Sequence, residues 1–358
     1  MLLTFCLMLT TTMAWAVNVA TEQELKEAVA NVSEPNITLT DNIALTSTLT
    51  ITRNLTLDLN GHSLTADGFR AILITSGENV VITSETPALI SVSGSIADNS
   101  SVIRVGGDSG DSRNIGLTLE QHVTVSTDKC YGITVFGTNT KETLVVNGTV
   151  ATTTVAASAI SGNGDGKYRA NETSITIGET ASISAANDVA IYHPQAGTLT
   201  VNGTVTGAGG IEIKAGTLIV GDEAKITAEG AISHTANNDG TSTRGYAIAI
   251  VENALYAGVS IVNISDEAKI TGPVAEIQDS PNSSHHPDFS ESEVRMGVEV
   301  VGGKQFTTLA DALNDVAAGG TLKILKPIAL KNTIEIDKNL TIDLNGSPQQ
   351  PDSSGSSG

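Results

Sequence analysis

The stretch from Asn36 to Gly61, NITLTDNIALTSTLTITRNLTLDLNG, recurs without a gap as TLKILKPIALKNTIEIDKNLTIDLNG from Thr321 to Gly346. The apolar residues keep their places in the two copies, while the polar residues between them change. The matched pairs are Ile43 with Ile328, Leu45 with Leu330, Leu49 with Ile334, Ile51 with Ile336, Leu55 with Leu340, Leu57 with Ile342, and Leu59 with Leu344. A repeat that preserves its apolar set predicts a structural duplication in which these residues face one interior.

Apolar and polar residues alternate in both copies, as in LTLDL from Leu55 to Leu59. This period of two is typical of a β-strand with one buried face. An Asn-Gly pair follows each copy, at 60–61 and at 345–346. Because Asn and Gly adopt a positive φ at low cost, these pairs predict sharp corners between strands.

One helix is predicted before each copy. Thr21 with Glu24, and Thr308 with Asp311, have the spacing of a capping box at a helix N-terminus. A stack of strands needs its open end covered, because exposed strand edges recruit other chains. We therefore expect both helices to be N-terminal caps.

Between the two copies, strand-length runs end in Gly, Asn or Asp and follow one another with almost no room for helices. This excludes a fold of alternating strands and helices. A chain that coils through short corners pairs parallel strands without long crossovers. The sequence predicts an all-β parallel β-helix, or β-solenoid, over residues 17–277, with about ten coils at roughly 25 residues each.

The remaining segments predict the domain organisation. Residues 278–297 are polar and contain two prolines, which is typical of a linker. Residues 298–346 repeat the cap helix and the first strands, so we expect a truncated second copy there. Residues 347–358 end in SSGSSG and predict a flexible tail.

Residues 1–16 are apolar and end in Ala14-Trp15-Ala16, the pattern of a secretory signal peptide and its cleavage site. We therefore expect a protein that is secreted or held at the cell surface, with no membrane insertion of the mature chain. Cys130 is the one cysteine outside this segment. It predicts a small buried apolar residue rather than a nucleophile.

Charge and composition narrow the range of partners. The formal net charge is −20, which opposes nucleic acid and anionic membrane surfaces. The acidic residues predict a solubilising surface, with divalent cation binding as the alternative. Aromatic residues make up 3% of the chain. The interior must therefore be built from Val, Ile, Leu and Ala, which suit thin repeated layers.

The cap helix followed by NLTLDLNGHSL, and the later stretch AIYHPQAGTLTVNGTVTGAGGIEIKAGTL, resemble bacterial surface proteins of the pectin-lyase-like, right-handed parallel β-helix class. The resemblance covers residues 17–277, with a fragment at 298–346. It implies an exported and often adhesin-like protein with a right-handed stack. The same class also contains polysaccharide lyases and hydrolases.

Candidate chemistry is concentrated in one stretch. The resemblance implies that a lyase would use calcium-binding carboxylates and an arginine base, and Arg104 followed by Asp108 and Asp111 is the nearest approach to that set. Gly106 to Asp111 also falls one glycine short of a calcium-binding repeat. Asp108 and Asp111 are therefore a candidate calcium site, with a solvated corner loop as the alternative. The histidines lack the spacing of a zinc site, and we expect no other cofactor.

Three functions stay open. The first is a non-enzymatic module that binds an extracellular glycan or protein, and the second is a calcium-dependent polysaccharide lyase or glycoside hydrolase. The third is ice binding by outward threonines such as Thr48, Thr50 and Thr52, which the irregular lengths of the units argue against. The sequence does not predict the ligand or the oligomeric state.

Overall fold

Strands make up 55% of the protein and helices 6% in the structure, a computed structural model, and the strands form long parallel sheets. The structure describes residues 16–97, 100–107, 114–136, 141–163, 172–237, 240–251, 260–265, 267–277, 298–302, 305–306, 309–325 and 333–345. Within these residues the expected parallel β-helix with an N-terminal cap helix is confirmed.

The strands between Val17 and Ile277 lie on three faces that the chain visits in turn. The first face contains β1 (Val17–Val19), β2 (Asn36–Leu39), β5 (Leu55–Asp58), β8 (Gly77–Thr83), β11 (Asn114–Leu119), β14 (Lys141–Val146), β17 (Glu172–Ile177), β19 (Gly197–Val201), β21 (Gly216–Val220) and β26 (Ser260–Ile264). The second face contains β3 (Ile43–Ala44), β6 (Ser63–Asp67), β9 (Ala88–Ser93), β12 (Val123–Thr127), β15 (Thr149–Thr152), β22 (Lys225–Ala228) and β27 (Lys269–Thr271). The third face contains β4 (Leu49–Ile51), β7 (Ile72–Ile74), β10 (Ser101–Val105), β13 (Tyr131–Val135), β16 (Ile160–Ser161), β25 (Ile248–Val251) and β28 (Val274–Ile277).

Two long strands, β18 (Ser182–His193) and β20 (Thr204–Ile213), run from the second face into the third without a corner. They join these two faces into one sheet, and they bring the number of strands on each of them to nine in the described part of the chain. The described residues therefore form nine coils, against the ten or so expected.

Neighbouring coils differ widely in length although their strands stay in register. Thr200 pairs with Ile219, which is 19 residues later. Ile219 pairs with Asn263, which is 44 residues later. The extra residues are accommodated at corners, so the stack of strands remains regular.

Aliphatic side chains form continuous columns inside the stack. One column on the first face consists of Ile37, Leu57, Ile82, Leu119, Val146, Ile177, Val201, Val220 and Ile264. Each of these side chains is at most 3% exposed. Burial of one such side chain contributes about 1.5–3 kcal/mol, so the columns are the main source of stability.

The cap helix α1 (Glu22–Ala30) covers the first coil. The Thr21 hydroxyl accepts from the backbone N–H of Glu24, and the Glu24 carboxylate accepts from the N–H of Thr21, so the expected capping box is confirmed. The buried face of the helix consists of Leu25, Ala28 and Val29, which belong to the main apolar core.

The second copy begins in the same way. It contains β29 (Val298–Val300), β30 (Gln305–Phe306), α2 (Leu309–Asp315), β31 (Thr321–Ile324) and β32 (Thr341–Asp343). Thr321 pairs with Thr341, and in the first copy Asn36 pairs with Thr56, so the coil takes 20 residues in both. One difference is that β29 pairs with both β30 and β31 in antiparallel fashion. The copy has its own apolar cluster, while Leu325 packs against the main core.

The corners confirm the role expected of the Asn-Gly pairs. Asn60 has a φ of 48°, Gly61 has a φ of 80°, and Asn345 in the second copy has a φ of 49°. Cys130 is buried, as expected, and burial raises the pKa of its thiol.

Candidate functional site

Long connections are concentrated at the two corners that flank the third face. Connections from the first face to the second contain two to four residues throughout the stack. From the third face to the first, eight residues separate β10 from β11, ten separate β16 from β17, and eight separate β25 from β26. From the second face to the third, 19 residues separate β22 from β25 and include a hairpin of β23 (Ser233–Asn237) and β24 (Gly240–Arg244). Insertions on a rigid scaffold are common sites of function.

A cleft of about 340 Å³ opens at the corner between the third and first faces. This corner cleft is lined by Glu78, Asn114, Ile115, Lys141, Glu142, Thr143, Thr173 and Ser174. Asn114, Lys141 and Thr173 lie at the first or second position of β11, β14 and β17. The cleft therefore lies where the long connections to β11 and β17, and a connection of five residues from β13 to β14, rejoin the sheet.

Polar side chains of the corner cleft supply both hydrogen-bond donors and acceptors. Glu78, Asn114 and Lys141 are exposed at its rim, where Asn114 Nδ2 donates to Glu78 Oε1 at 3.4 Å. Glu142 and Thr173 are each 1% exposed and lie at the base. Carboxylates, an ammonium, an amide and hydroxyls in one concave site can bind a ligand that is rich in hydroxyl or amide groups.

Gly106 brings the end of the third face against the base of the corner cleft. It has a φ of 108°, and a Cβ at this position would lie 1.3 Å from the carbonyl oxygen of Phe136 and 3.1 Å from Glu142 Oε1. Only glycine adopts this backbone at such close range. Two residues earlier, the guanidinium of Arg104 lies 4.6 Å from the centre of the Phe136 ring, a cation–π distance.

A second polar group lies on the outward side of the third face, beneath the hairpin of β23 and β24. The Glu212 carboxylate accepts from the backbone N–H and the hydroxyl of Thr243, both at 2.7 Å. Lys214 Nζ lies 3.5 Å from Glu212 Oε1 and 5.3 Å from the centre of the Tyr192 ring. Glu212 is 2% exposed and Lys214 is 1% exposed, so the hairpin is fastened to the scaffold by buried charges.

His193 lies on the wall of the stack, at the end of β18, with its side chain turned inward. It pairs with Ile213 and is 0% exposed, so the imidazole lies inside the stack. Neither ring nitrogen forms a hydrogen bond to the described residues. Burial lowers the pKa of His193 to about 4, and the ring is therefore neutral at physiological pH.

The remaining residues singled out in the sequence are not brought together into one site. Asp108 and Asp111, the candidate calcium ligands, lie outside the described residues. Arg104 is on the third face, in the same column as Thr50 and Leu73. The row of threonines that ice binding requires therefore ends at the first coil on this face.

The residues of the corner cleft and of the Glu212 group were not identified from the sequence. Glu142 lies two positions before the buried Leu144, so it has the parity of an interior residue. A charged residue at an interior position of a strand is unusual, and this feature of the sequence could have identified Glu142 as a candidate site residue. Glu212 carried no such signal, because Thr243, which donates to its carboxylate, comes 31 residues later in the chain.

Within the described residues, no cluster of three or more His, Cys, Asp or Glu side chains has the arrangement of a metal site. Neither described helix has the length and apolar character needed to cross a membrane. Comparisons with protein-family models, with curated proteins and with solved structures find no match.

Proposed function

We propose that the chain is a non-enzymatic, secreted or cell-surface β-helix module that binds an extracellular glycan or protein through the corner cleft. The main support for this proposal is the position of the cleft. Its residues come from four neighbouring strands of the first face, β8, β11, β14 and β17. At about 4.8 Å between strands, the cleft extends roughly 14 Å along the stack, which suits an extended ligand.

The charges of the site favour a neutral or basic ligand group. The corner cleft contains two carboxylates, from Glu78 and Glu142, and one ammonium, from Lys141. The whole chain has a net charge of −20, which repels polyanions at long range. Neutral glycans, amino sugars and basic peptide segments therefore suit the site better than acidic polysaccharides.

Export to the cell exterior is part of the same proposal. It is supported by the apolar segment at residues 1–16 and by the resemblance to bacterial surface proteins of the pectin-lyase-like class. Expression with this segment in a bacterial host, followed by N-terminal sequencing of the exported chain, should give a start near Val17. A chain that stays inside the cell and keeps Met1 would contradict export.

The binding experiment begins with an array of neutral, amino-bearing and acidic glycans and a panel of immobilised matrix proteins. For the probe that binds best, Glu78→Ala and Asn114→Ala should each lower the affinity about tenfold, as expected for the loss of a hydrogen bond to the ligand. Thr206→Ala is the matched control, because Thr206 lies on the outward side of the second face, away from the corner cleft. Equal binding by all three variants, or binding to no probe, would contradict the proposal.

The alternative is a polysaccharide lyase or hydrolase that uses Arg104. The buried carboxylate of Glu212, on the outward side of the same face, lies four strands along the same column. At about 4.8 Å per strand the two are roughly 19 Å apart, too far to act on one bond. Turnover of an acidic polysaccharide with calcium, lost in Arg104→Ala, would favour the enzyme over the binding module.

A further inference from the structure

Residues 193–196 join the end of β18 to the start of β19 and contact the last strand of the corner cleft, β17. Gln195 Oε1 accepts a hydrogen bond from the backbone N–H of Asn163, just before this strand, at 2.7 Å. The carbonyl oxygen of Ala196 accepts from the N–H and from the hydroxyl of Thr173, each at 3.1 Å. Thr173 lies at the base of the corner cleft, so residues 193–196 hold part of that base in place.

This segment packs closely against both neighbouring coils. A Cβ on Gly162, in the coil before it, would lie 2.1 Å from Gln195 Oε1 and 2.8 Å from Pro194 Cδ. In the coil after it, the N–H of Lys214 donates to the carbonyl oxygen of His193 at 2.9 Å. Pro194 and Gln195 are themselves buried. Because the segment has so little free space around it, a displacement of the His193 ring moves the backbone of the segment as well.

His193 makes this arrangement sensitive to protonation. Its ring is 0% exposed, and neither ring nitrogen has a hydrogen-bond partner among the described residues. The Nε2 atom of Gln195 has none there either. A neutral ring tolerates such a position, but a charged ring without a partner carries a large cost of lost hydration. The protonated ring therefore has to reach water.

The charges near His193 in the described part of the chain do not compensate a protonated ring. On the neighbouring strand β20, Glu212 and Lys214 form an ion pair on the outward side of the third face, where Lys214 also contacts Tyr192. Glu142 lies inward on β14, two strands from β19. The adjacent strands β16 and β19 contain no ionisable side chain. Burial lowers the pKa of His193 to about 4, without a contribution from any of these charges.

We propose that residues 193–196 form a pH-sensitive switch for the corner cleft, which is closed while the His193 ring is neutral and opens when the ring is protonated. Opening brings the ring into water and breaks the hydrogen bonds to Asn163 and Thr173. Thr173 then leaves its place at the base of the cleft. A ligand of the cleft is therefore bound less tightly in mild acid, and this last step rests on the proposed function.

The direction and size of the effect follow from the two environments of the ring. The pKa of His193 is about 4 in the closed form and 6.5 when the ring is solvated. Between these values the open form binds more protons than the closed form, so its population grows about tenfold for each unit by which the pH falls. From pH 7 to pH 4.5 the increase is on the order of 50-fold.

Amide hydrogen exchange of the full chain, followed by NMR, measures this opening without a ligand. The reporters are the N–H groups of Asn163, Thr173 and Lys214, which all donate to residues 193–196. Their protection factors should fall on the order of 50-fold between pH 7 and pH 4.5. The N–H groups of Glu120 and Asn147, which donate to carbonyl groups elsewhere on the first face, are the control and should keep their protection.

Variants of His193 test whether this residue is the group that titrates. His193→Leu and His193→Phe should keep the reporter amides protected at pH 4.5. His122→Leu is the matched control, because His122 lies at an exposed corner, and it should open like the unmodified chain. Unchanged protection in the unmodified chain, or the same loss in both His193 variants, would overturn the proposal. A simultaneous loss at reporter and control amides would overturn it too, because the whole stack would then unfold rather than one corner.

A binding measurement separates the switch from the proposed function of the cleft. The probe is the pentamer of N-acetylglucosamine, a neutral glycan rich in hydroxyl and amide groups that does not titrate in this range. Its affinity should fall in proportion to the closed fraction that amide exchange gives at each pH, and it should stay constant for His193→Leu. An affinity that does not follow the closed fraction would overturn regulation of the cleft. Absence of binding at every pH would contradict the proposed function for this glycan, and amide exchange then decides on the switch alone.

Discussion

Arg53 Nε donates a hydrogen bond to the carbonyl oxygen of Val29, at 2.8 Å, and so closes the C-terminal end of the cap helix α1 from the next coil. The second copy repeats this contact, because Lys338 Nζ donates to the carbonyl oxygen of Val316 at 2.6 Å. Arg53 and Lys338 occupy matched positions in the duplicated sequence. A basic residue that binds the last carbonyl groups of a helix also interacts favourably with the helix dipole.

Replacement of Arg53 by Ala should weaken the cap. Arg53 also donates to the carbonyl oxygens of Ala28 and Glu34, each at 2.8 Å, so three carbonyl groups lose a hydrogen bond, and that of Ala28 keeps one from the N–H of Asn31. We expect a loss of about 2 kcal/mol in the free energy of unfolding, measured by chemical denaturation. Arg53→Lys should recover part of this loss, because Lys338 performs the same role in the second copy. A variant Arg53→Ala with unchanged stability would contradict the assignment.

We expect protonation of Glu22 to lower the stability of the fold in acid. It accepts hydrogen bonds from the side chain of Lys26 and from the backbone and hydroxyl of Thr46, and these lower its pKa from 4.5 to about 2 despite an opposing effect of burial. A carboxylate with a lowered pKa stabilises the fold above pH 4.5, and this contribution is lost as the pH falls towards 2. Denaturation of Glu22→Gln should therefore show a weaker dependence on pH between 4.5 and 2.

The matched control for this effect is Glu27→Gln. Glu27 lies on the same helix. In the described contacts, its side chain accepts one hydrogen bond, from Gln23. This variant should keep the pH dependence of the unmodified chain. If Glu22→Gln and Glu27→Gln respond alike, Glu22 does not fasten the cap helix to the first coil.

The fold could be predicted from the sequence because its main signals are local. Alternation with a period of two, as in Leu55 to Leu59, fixes which side chains face the interior, and the duplication repeats the same set. Corners such as Asn60-Gly61 depend on residues with few steric limits. Both kinds of signal are visible within a few residues of chain, which is why the cap helix and the strands were found.

The candidate site could not be predicted because it depends on contacts between coils. The base of the corner cleft requires that Gly106, Phe136 and Glu142 meet across four connections, of eight, three, three and five residues. Similarly, Glu212 is buried by Thr243 from a hairpin 31 residues away. Loop lengths do not reveal which insertions lie side by side, so the interior position of the charged Glu142 was the one local indication of either group.

Because Glu212 and Lys214 form a buried ion pair, we expect removal of one charge to destabilise the fold more than removal of both. Lys214→Met removes the ammonium 3.5 Å from a carboxylate that is 2% exposed. We expect this variant to lose about 3–5 kcal/mol in the free energy of unfolding. The double variant Lys214→Met, Glu212→Gln removes both charges and should recover most of that loss. A double variant that is as unstable as Lys214→Met would show that the two side chains act independently.

We expect His193 to make the stability of the fold depend on pH. The pH range in which it acts lies higher than the range in which Glu22 acts. Its pKa is about 4 in the folded chain and 6.5 when the ring is solvated, because burial disfavours the charged ring. Between these values the unfolded chain binds more protons than the folded chain, so stability falls as the pH is lowered from 6.5 to 4, by up to about 1.4 kcal/mol per pH unit. His193→Leu should abolish this slope and raise stability at neutral pH by about 1–2 kcal/mol, because an apolar side chain suits a position where neither nitrogen has a partner among the described residues. His122→Leu, at an exposed corner, should leave the slope unchanged, and an identical slope in all three proteins would place His193 outside the interior.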